Sequence, residues 1–364
     1  MQKKILQVTG SLDCAGIETL LMNVLKNIDR EKFKIDFLVV ANKKYFYSDM
    51  VLKYGSKIYT YVFKEVYKIL IPFFFIKEIM VLLKNKYDIV HCHFYFSTAI
   101  VLFLAWLCGV KKRIAHSHNT RTIYAPKFLV KPCTLFMQKI IRMFATDMVA
   151  CSQEAGIALF GKQANFKIVK NGINKDYFKF NEQIRTKVRK QINIENNFVL
   201  GHAGRFDYQK NHIFLINVFK EVLKYNKNAV LLLIGVGMLE QKIKQEIKNL
   251  NMEDKVKFLG ISKNINELYQ AMDVFLLPSL YEGLPIAGVE AQASGLPCFF
   301  SQNISNGLYI TNSFFLPLDA GYEFWAKKII EVSSDFIRKD TSFDVEKSGY
   351  DLKNTLNAFE KLYN

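Results

Sequence analysis

The sequence predicts an α/β protein with two doubly wound, Rossmann-like parallel-sheet domains. Two observations predict this class. Short apolar strands alternate with helix-length segments, a pattern typical of a parallel sheet covered by helices on both faces. This series stops in a polar stretch at 171–197 and then begins again. The chain of 364 residues is long enough for two such domains of average size.

The first series begins with a short apolar strand and a loop that contains Gly10 and Gly16. A helix follows, with apolar residues on one face from Leu20 to Ile28. Further strands are predicted at 35–40, 58–62, 89–93, 113–116 and 148–150, with a long helix at 73–83. We assign residues 1–175 to an N-terminal Rossmann-like domain.

The second series predicts another sheet. Its strands are expected at 198–203, 229–234, 256–259 and 274–277, and its helices at 213–225 and 240–249. We assign residues 176–345 to a C-terminal Rossmann-like domain and residues 346–364 to a helix that could cross back to the N-terminal domain. Ligands of doubly wound sheets bind at the carboxyl ends of the strands, so we expect the ligand in a cleft between the two domains.

Composition and apolar runs exclude several classes of protein. Half of the residues are apolar and the six cysteines form no Cys-x-x-Cys pair, which indicates a globular protein of a reducing compartment without a disulfide framework. The first apolar run, 5–8, is too short for a signal peptide, and the runs at 69–75 and 98–110 are too short for a spanning helix. We therefore expect a cytoplasmic protein without a transmembrane helix.

Positive charge is concentrated in the first half of the chain. Residues 1–170 contain 26 basic and 11 acidic side chains, whereas residues 171–364 contain 24 and 22. Such a field favours an anionic partner: an acidic membrane surface, a phosphorylated substrate or nucleic acid. The alternative is a lysine-rich composition without a role. No recognised nucleic-acid module is present, so we expect no nucleic-acid partner.

The segment 279–297 carries the strongest indication of a binding site. Gly283 and Pro285 make a turn between a buried strand and a helix at 286–293. The start of this helix offers free backbone N–H groups to a phosphate. Glu282 in the turn and Glu290 one turn into the helix could face one cavity and accept hydrogen bonds from sugar hydroxyls. The alternative is a capped helix start with a solvated Glu290.

A second candidate is the basic loop at 204–211. It follows the predicted strand at 198–203, so it lies at the carboxyl end of that strand. Arg205 and Lys210 would place two cations beside the helix start, which suits a diphosphate. The alternative is an exposed basic loop without a ligand.

Together these segments resemble the retaining, GT-B-fold glycosyltransferases of sequence family four, and within that family the enzymes of capsule and exopolysaccharide assembly. The resemblance covers nearly the whole chain. It is carried by the order and spacing of Ala15 to Glu18, His116 to Asn119, Asn171 to Asn174, Gly204 and Arg205 with Lys210, Gly235 to Gly237, and the pair Glu282 and Glu290.

The resemblance implies roles for the residues of a donor-binding site. Arg205 and Lys210 would neutralise the donor diphosphate and stabilise the leaving nucleotide. Glu290 would bind the ribose hydroxyls, and Glu282 would contact the donor sugar. The family usually has two glycines where this chain has Ala15 before Gly16. The other implied donor contacts are Gly16, Gly235, Leu284, Pro285, Ile286 and Ala287, with the segment 258–261 near the base.

The resemblance also implies an active-site histidine. His118 matches it and would orient the sugar or the acceptor hydroxyl, and His116 is the alternative if the register shifts by two. His91 and His93 share one face of a strand, so these four histidines could hold a metal. However, no carboxylate motif accompanies them, and the resemblance implies that they are sheet-edge residues. The chain also lacks Asp-x-Asp, which holds a metal-bound diphosphate in the other large glycosyltransferase fold. We expect no metal and no other cofactor.

These observations predict a glycosyltransferase that moves a sugar from a nucleotide-sugar, a UDP-sugar, to a hydroxyl of a saccharide acceptor. The resemblance implies retention of the anomeric configuration. A lipid-linked acceptor at the inner face of the cell membrane would explain the basic first half, and the segment 59–76 could lie on an anionic bilayer as a peripheral contact. The alternative for this segment is an ordinary helix packed on the sheet.

Two other functions are weighed against this one. A catalytically inactive glycosyltransferase-like partner or scaffold would be expected to lack Arg205, Lys210 or Glu290, and all three are present. A dinucleotide-dependent oxidoreductase would need Gly-x-Gly-x-x-Gly after the first strand, and residues 9–16 do not have that pattern.

Overall fold

A computed structural model of the chain describes residues 2–39, 43–60, 80, 83–84, 87–118, 127–304 and 306–364. The chain divides into two compact units: Met1–Asn171 together with Lys353–Asn364, and Gly172–Leu352. Each unit contains one parallel sheet, which confirms the predicted fold class. Most of the helix predicted at 73–83 and most of the segment 59–76 lie outside the described residues.

The first unit contains a seven-stranded parallel sheet with the strand order β3-β2-β1-β4-β5-β6-β7. Its strands are β1 Lys3–Val8, β2 Phe33–Val39, β3 Ile58–Thr60, β4 Ile89–Cys92, β5 Lys112–Ser117, β6 Asp147–Ala150 and β7 Lys167–Ile168. The helices described in this unit are Gly16–Asn27, Ser48–Lys53, Thr98–Leu107, Lys127–Phe144, Gln153–Phe160 and Leu352–Tyr363.

Helix Leu352–Tyr363 completes the core of the first unit from the far end of the sequence. Phe359 and Tyr363 are buried in the same apolar cluster as Ile5 and Ile114, which lie on β1 and β5. The helix spaces these apolar residues three and four positions apart, so they form one face that packs on the sheet. The first sheet is therefore covered in part by residues that follow the whole second unit.

The second unit contains a six-stranded parallel sheet with the strand order β10-β9-β8-β11-β12-β13. Its strands are β8 Phe198–Ala203, β9 Ala229–Ile234, β10 Val256–Gly260, β11 Val274–Leu277, β12 Cys298–Ser301 and β13 Ser313–Leu316. Its described helices are Lys175–Phe178, Glu182–Gln191, His212–Tyr225, Glu240–Asn249, Ile265–Ala271, Ile286–Ala293, Gly321–Ser334 and Ser342–Lys347.

Both sheets have a point where the strand order turns back, and such points are where doubly wound sheets bind ligands. In the first sheet it lies between β1 and β4, and in the second between β8 and β11. A ligand site is therefore expected at the loops that follow the carboxyl ends of these four strands. Among the described residues, no helix combines the length and apolarity needed to cross a membrane.

Candidate active site

The carboxyl ends of β8 and β11 bring the two predicted donor-binding segments together. These strands are hydrogen-bonded neighbours in the second sheet. Gly204 and Arg205 directly follow β8, and Pro278 begins the loop after β11. Because parallel strands end at the same edge of a sheet, the loops 204–211 and 278–285 meet there.

Lys210 and Glu282 form a nearly buried ion pair that joins these two loops. The Lys210 Nζ lies 2.6 Å from Glu282 Oε1, and the two side chains are 14% and 9% exposed. Gln209 Nε2 donates to Glu282 Oε2 at 2.9 Å and to the Tyr281 carbonyl at 2.9 Å. The backbone N–H of Leu280 donates to the Gln209 carbonyl at 2.8 Å. The Glu282 carboxylate is therefore fixed by two donors from the other loop.

This pairing leaves Lys210 able to bind an anion. An ammonium group has three N–H donors, and Glu282 is its hydrogen-bond partner among the described residues. The Lys210 stem also packs on Gly204, whose hypothetical Cβ would lie 3.0 Å from Lys210 Cε. The ammonium group is thus held at the end of β8 with donors left for phosphate oxygens.

Arg205 stands at the same strand end in a more exposed position. Its Nε lies 2.9 Å from Asp207 Oδ2, and its side chain is 67% exposed. Asp207 also accepts from the backbone N–H of Lys210 at 3.3 Å, which caps the short turn Tyr208–Lys210. A guanidinium carries five N–H donors, so Arg205 keeps terminal groups for bidentate contact with a phosphate.

Gly235 lets the turn after β9 pack against the start of the basic loop. Its φ of +133° lies in a region that favours glycine, and a Cβ there would meet the Gly204 carbonyl oxygen at 2.1 Å. The Gly235 N–H donates to the Gly260 carbonyl at 2.8 Å. The predicted donor contact at Gly235 is therefore also a position where the backbone excludes any side chain.

Helix Ile286–Ala293 begins where the sequence predicts it. Its first residue follows Pro285, and no side chain caps its start. The first N–H groups of an α-helix have no partner within the helix, so uncapped groups at Ile286 and Ala287 are suited to bind a phosphate. Pro285 itself has no N–H, so its contribution is limited to setting the turn.

Glu290 is buried on this helix. Its carboxylate Oε2 accepts from the Tyr269 hydroxyl at 2.9 Å. Burial raises the pKa of Glu290 to about 7, and the Tyr269 hydrogen bond opposes that rise. The alternative of a solvated Glu290 is therefore wrong. At neutral pH the group lies near the point where it changes between neutral and charged forms.

The sequence did not indicate two residues of this site, Gln209 and Tyr269. Gln209 is adjacent to Lys210 in the predicted binding loop, and this adjacency is the only signal in the sequence for its role. Tyr269 lies on helix Ile265–Ala271, distant in sequence from Glu290, and no spacing links the two. The sequence treated Glu282 and Glu290 as a pair, whereas they have different partners in the structure.

Four buried histidines, His91, His93, His116 and His118, form one cluster in the first unit. His93 Nδ1 lies 2.8 Å from His118 Nε2, and His91 Nε2 lies 3.2 Å from His116 Nδ1. They belong to or directly follow β4 and β5, which are interior strands, so the expectation of sheet-edge residues is wrong. Burial lowers the pKa of all four rings, to about 3 for His118, so each is neutral at neutral pH.

The histidine cluster also contains the group of side chains that comes nearest to a metal site in the described part of the chain. Ligand nitrogens of His91, His93 and His116 lie within 4.8 Å of one another. However, most of these nitrogens have hydrogen-bond partners: His91 pairs with His116, and His93 with His118 and with Gln7 at 2.9 Å. His116 Nε2 is buried without a partner among the described residues. The arrangement is that of a polar layer in the core, and metal independence stays a prediction.

Gly16 begins helix Gly16–Asn27 at the carboxyl end of β1 in the first unit. Ala15 precedes it and makes no side-chain capping hydrogen bond. The first turn of this helix also holds the buried carboxylate of Glu18, and the donor contact at Gly16 stays a prediction. The structure thus places Gly16 and His118 in the first unit, and the remaining predicted site residues in the second.

Two family models match nearly all of the chain between them. Residues 15–177 match the model described as Glycosyltransferase Family 4. Residues 184–336 match the model described as Glycosyl transferases group 1. The two matches correspond to the two units found in the structure.

Three relatives show how far the similarity extends. The chain is 32% identical over 381 residues to the putative glycosyltransferase EpsF of Bacillus subtilis (strain 168), which covers 100% of this chain and 97% of that protein. It is 25% identical over 383 residues to the capsular polysaccharide biosynthesis glycosyltransferase CapH of Staphylococcus aureus, covering 99% and 98%. It is 29% identical over 245 residues to the UDP-Gal:alpha-D-GlcNAc-diphosphoundecaprenol alpha-1,3-galactosyltransferase of Escherichia coli, covering 64% and 62%.

Among solved structures, the fold is similar to that of Anabaena HepE in complex with UDP and glucose. The TM-score is 0.82 over 99% of both chains, with 18% identity, so this likeness speaks for the fold alone. That fold is the GT-B arrangement of two Rossmann-like units. Together with the family models and a relative similar along its whole length, it shows that the chain is a glycosyltransferase of family 4.

Proposed function

We propose that this enzyme transfers a sugar from a UDP-sugar to a hydroxyl of a lipid-linked saccharide during capsule or exopolysaccharide synthesis. Transfer would proceed with retention and without a metal ion. The donor-binding part of this proposal rests on the ion pair between Lys210 and Glu282 at the ends of β8 and β11. The polysaccharide context is supported by the name of the relative CapH.

The donor diphosphate would bind to Arg205, Lys210 and the start of helix Ile286–Ala293. Two cations and uncapped N–H groups can neutralise the two phosphate charges that a metal would otherwise balance. The same groups would stabilise the charge that grows on the nucleotide as it leaves. A uridine nucleotide is supported by the UDP bound to HepE and by the UDP-Gal named for the E. coli relative.

Glu290 and Glu282 would recognise hydroxyl groups. The charged form of Glu290 can accept hydrogen bonds from both ribose hydroxyls, and its pKa of about 7 makes that form accessible. Glu282 would accept from the donor sugar while Lys210 and Gln209 hold its carboxylate in place. The backbone N–H groups of Leu284, Ile286 and Ala287 would contact the same sugar, with Gly235 near the base.

The proposed transfer exchanges one bond at the anomeric carbon. The bond from this carbon to the β-phosphate oxygen breaks, and UDP leaves with the bonding electrons. The acceptor oxygen forms the new bond on the same face and loses its proton, which a phosphate oxygen of the leaving UDP can take. Lys210 and Arg205 assist by stabilising the negative charge on that leaving group.

The acceptor would bind to the first unit. Residues 1–170 carry 26 basic and 11 acidic side chains, which favours a diphosphate-linked acceptor and an anionic membrane surface. The E. coli relative, by its name, acts on a diphosphoundecaprenol-linked sugar. His118 and Gly16 are the residues of this unit that we expect nearest to the sugar and the donor phosphates.

The experiment that tests this function measures nucleotide release from a panel of UDP-, GDP-, ADP- and TDP-sugars, with diphosphoundecaprenol-linked GlcNAc as acceptor. We expect release from a UDP-sugar, unaffected by EDTA, and a product with the anomeric configuration of the donor by NMR. Arg205→Ala should lower kcat/KM by about 100-fold, because it removes a charge that stabilises the leaving nucleotide. Glu290→Ala should mainly raise the donor KM.

Lys327→Ala is the matched control for these variants. Lys327 is an exposed cation of the same unit, paired with the exposed Glu323. Its removal should leave release unchanged. Equal activity in the wild type, Arg205→Ala and Glu290→Ala would show that the assigned site is wrong. No release with any donor would favour the catalytically inactive alternative.

A further inference from the structure

A hydrogen-bonded chain of side chains links helix Leu352–Tyr363 to His118. Gln7 Nε2 donates to the Tyr363 hydroxyl oxygen at 2.7 Å. Gln7 Oε1 lies 2.9 Å from His93 Nε2, and His93 Nδ1 lies 2.8 Å from His118 Nε2. All four side chains are buried. The chain starts at the C-terminal helix and ends at the histidine that the proposed function places beside the sugar.

Each link of this chain determines where the next proton lies, because a neutral imidazole has one N–H and one lone pair. Gln7 directs its N–H toward Tyr363, so its oxygen faces His93, and His93 Nε2 must carry the proton. His93 Nδ1 is then a lone pair, so the proton between the two rings belongs to His118 Nε2. His118 Nδ1 is left as a hydrogen-bond acceptor.

This acceptor is buried and has no hydrogen-bond partner within the part of the chain that the structure describes. A buried polar atom without a partner is unfavourable unless a ligand supplies one. We propose that Tyr363, Gln7 and His93 are positioning residues that hold His118 in its Nε2–H tautomer, so that Nδ1 accepts a hydrogen bond from a hydroxyl of the bound sugar. The proposal rests on the role of His118 in the proposed function.

A second branch of the same chain ends with the opposite polarity. The Tyr363 hydroxyl, having accepted from Gln7, donates to His91 Nδ1 at 3.0 Å. His91 Nε2 then donates to His116 Nδ1 at 3.2 Å, which leaves an N–H at His116 Nε2. The branches therefore distinguish the two histidines that the sequence left as alternatives. His118 ends as an acceptor and His116 as a donor.

Neutral rings are a condition of this arrangement. If His93 were protonated at both nitrogens, two N–H groups would face each other at 2.8 Å. If His118 were protonated at both nitrogens, its Nδ1 could no longer accept a hydrogen bond. Burial lowers the pKa of every ring in the cluster, so the neutral state holds throughout the pH range in which an enzyme would be assayed. The tautomer is thus a fixed property of the folded first unit.

The test is the tautomeric state of His118 in the full chain, measured by long-range ¹H–¹⁵N correlation with ¹⁵N-labelled histidine. The sequence has six histidines, so a His118→Asn variant identifies the His118 signals by their loss. We expect a proton on Nε2 and none on Nδ1. A proton on Nδ1, or on both nitrogens, would overturn the proposal. So would a spectrum that changes on addition of EDTA, because the cluster would then hold a metal.

The positioning role is tested with Tyr363→Phe, which removes the hydroxyl but keeps the ring that packs on Phe33 and Phe359. We expect a mixture of His118 tautomers, a kcat lowered about tenfold and an unchanged donor KM, as for the loss of one oriented hydrogen bond. The control is Thr355→Val on the same helix, where the Thr355 hydroxyl donates to the Lys170 carbonyl at 2.8 Å. This control variant should leave the His118 tautomer, kcat and the donor KM as in the wild type.

If Tyr363→Phe leaves the tautomer and kcat as in the wild type, the positioning role is refuted. The NMR readout needs no turnover. A chain that releases no nucleotide would therefore contradict the proposed function. The His118 tautomer measured by NMR would still show whether Tyr363, Gln7 and His93 fix the proton on this ring.

Discussion

At the scale of single residues, Glu290 shows how burial can set the behaviour of a binding group. The carboxyl group is buried on helix Ile286–Ala293, and this burial raises its pKa to about 7. A ligand whose hydroxyls donate to the carboxylate stabilises the charged form. Binding of such a ligand must therefore release a proton from Glu290 at pH values below about 7.

We predict that the affinity for UDP-glucose, used as a probe, increases about tenfold between pH 6 and pH 8 and then levels off. The diphosphate of this compound is a diester that stays ionised over this range, so the change reports Glu290. Isothermal titration calorimetry in buffers of different ionisation enthalpy would measure both the affinity and the proton release. In Glu290→Gln the affinity should be lower and independent of pH.

The same pKa has a consequence for the free protein. The folded-state value of about 7 lies above the ordinary value of 4.5, so the folded chain binds the proton more tightly than the unfolded chain. The stabilisation from this group is full below about pH 4 and is lost as the pH rises through 7, a change of about 3 kcal/mol. Glu290→Gln should remove this part of the pH dependence. A flat wild-type affinity together with a flat stability would contradict the assigned pKa.

The residue types of the donor site could be predicted from the sequence, but their contacts could not. The pairing of Lys210 with Glu282 depends on β8 lying beside β11, and that order follows from packing of the whole sheet. The hydrogen bond from the Tyr269 hydroxyl to Glu290 joins two helices and residues 21 positions apart, so no local sequence pattern predicts it. The four histidines belong to two short motifs distant in sequence, and the parallel register of β4 and β5 brings them into one cluster.

At the scale of elements, a turn in the second unit depends on one glycine. Gly235 follows β9 with a φ of +133°, and a Cβ there would meet the Gly204 carbonyl at 2.1 Å. Gly321 has a φ of +81° but has nothing within 4 Å of its hypothetical Cβ. Comparison of the two positions separates the cost of the backbone conformation from the cost of the steric conflict.

We predict that Gly235→Ala destabilises the second unit by about 3 kcal/mol, whereas Gly321→Ala costs about 1 kcal/mol. Urea unfolding followed by fluorescence would measure the difference. The chain has two tryptophans, and Trp325 is fully buried in the second unit, so a Trp106→Phe background makes this signal specific. Equal losses at both glycines would show that the loop moves away from the added methyl group.

Elements with a clear apolar run were predicted with nearly correct bounds. Strand β8 and helix Ile286–Ala293 begin and end at the predicted residues. By contrast, β12, β13 and helix Gly321–Ser334 were not predicted, although Trp325 and Ile329 of that helix show helical spacing. Each of these two strands has only four residues, and so short an apolar run is a weak pattern that only pairing with a neighbouring strand fixes.

At the scale of the whole molecule, the uneven charge remains the main clue to the acceptor side. Basic side chains outnumber acidic ones by 26 to 11 in residues 1–170 and by 24 to 22 in the rest. Ion pairs between exposed groups do not remove this excess from the surface. The first unit therefore has the field expected of a protein that meets anionic lipids or diphosphates.

We predict that the chain floats with vesicles of phosphatidylglycerol and phosphatidylcholine, stays unbound with phosphatidylcholine alone, and is released by molar salt. Flotation on a density gradient would measure this. Replacing the exposed Lys111 and Lys162 with glutamate should weaken binding, and the same change at the exposed Lys242 and Lys248 of the second unit should not. Equal flotation with neutral and anionic vesicles would contradict an electrostatic surface contact.

The covering of the first sheet by helix Leu352–Tyr363 has a consequence for the order in which the protein is made. The first unit needs residues 353–364, and the ribosome must translate all of 172–352 before it reaches them. Until then the buried side chains of Gln7 and His91 lack Tyr363, and Lys3 lacks the Tyr363 carbonyl to which it donates at 3.0 Å. The second unit can fold during synthesis, while the first unit remains incomplete and accessible to chaperones and proteases. The hydroxyl that sets the protonation of His118 is thus translated only after the whole of the second unit.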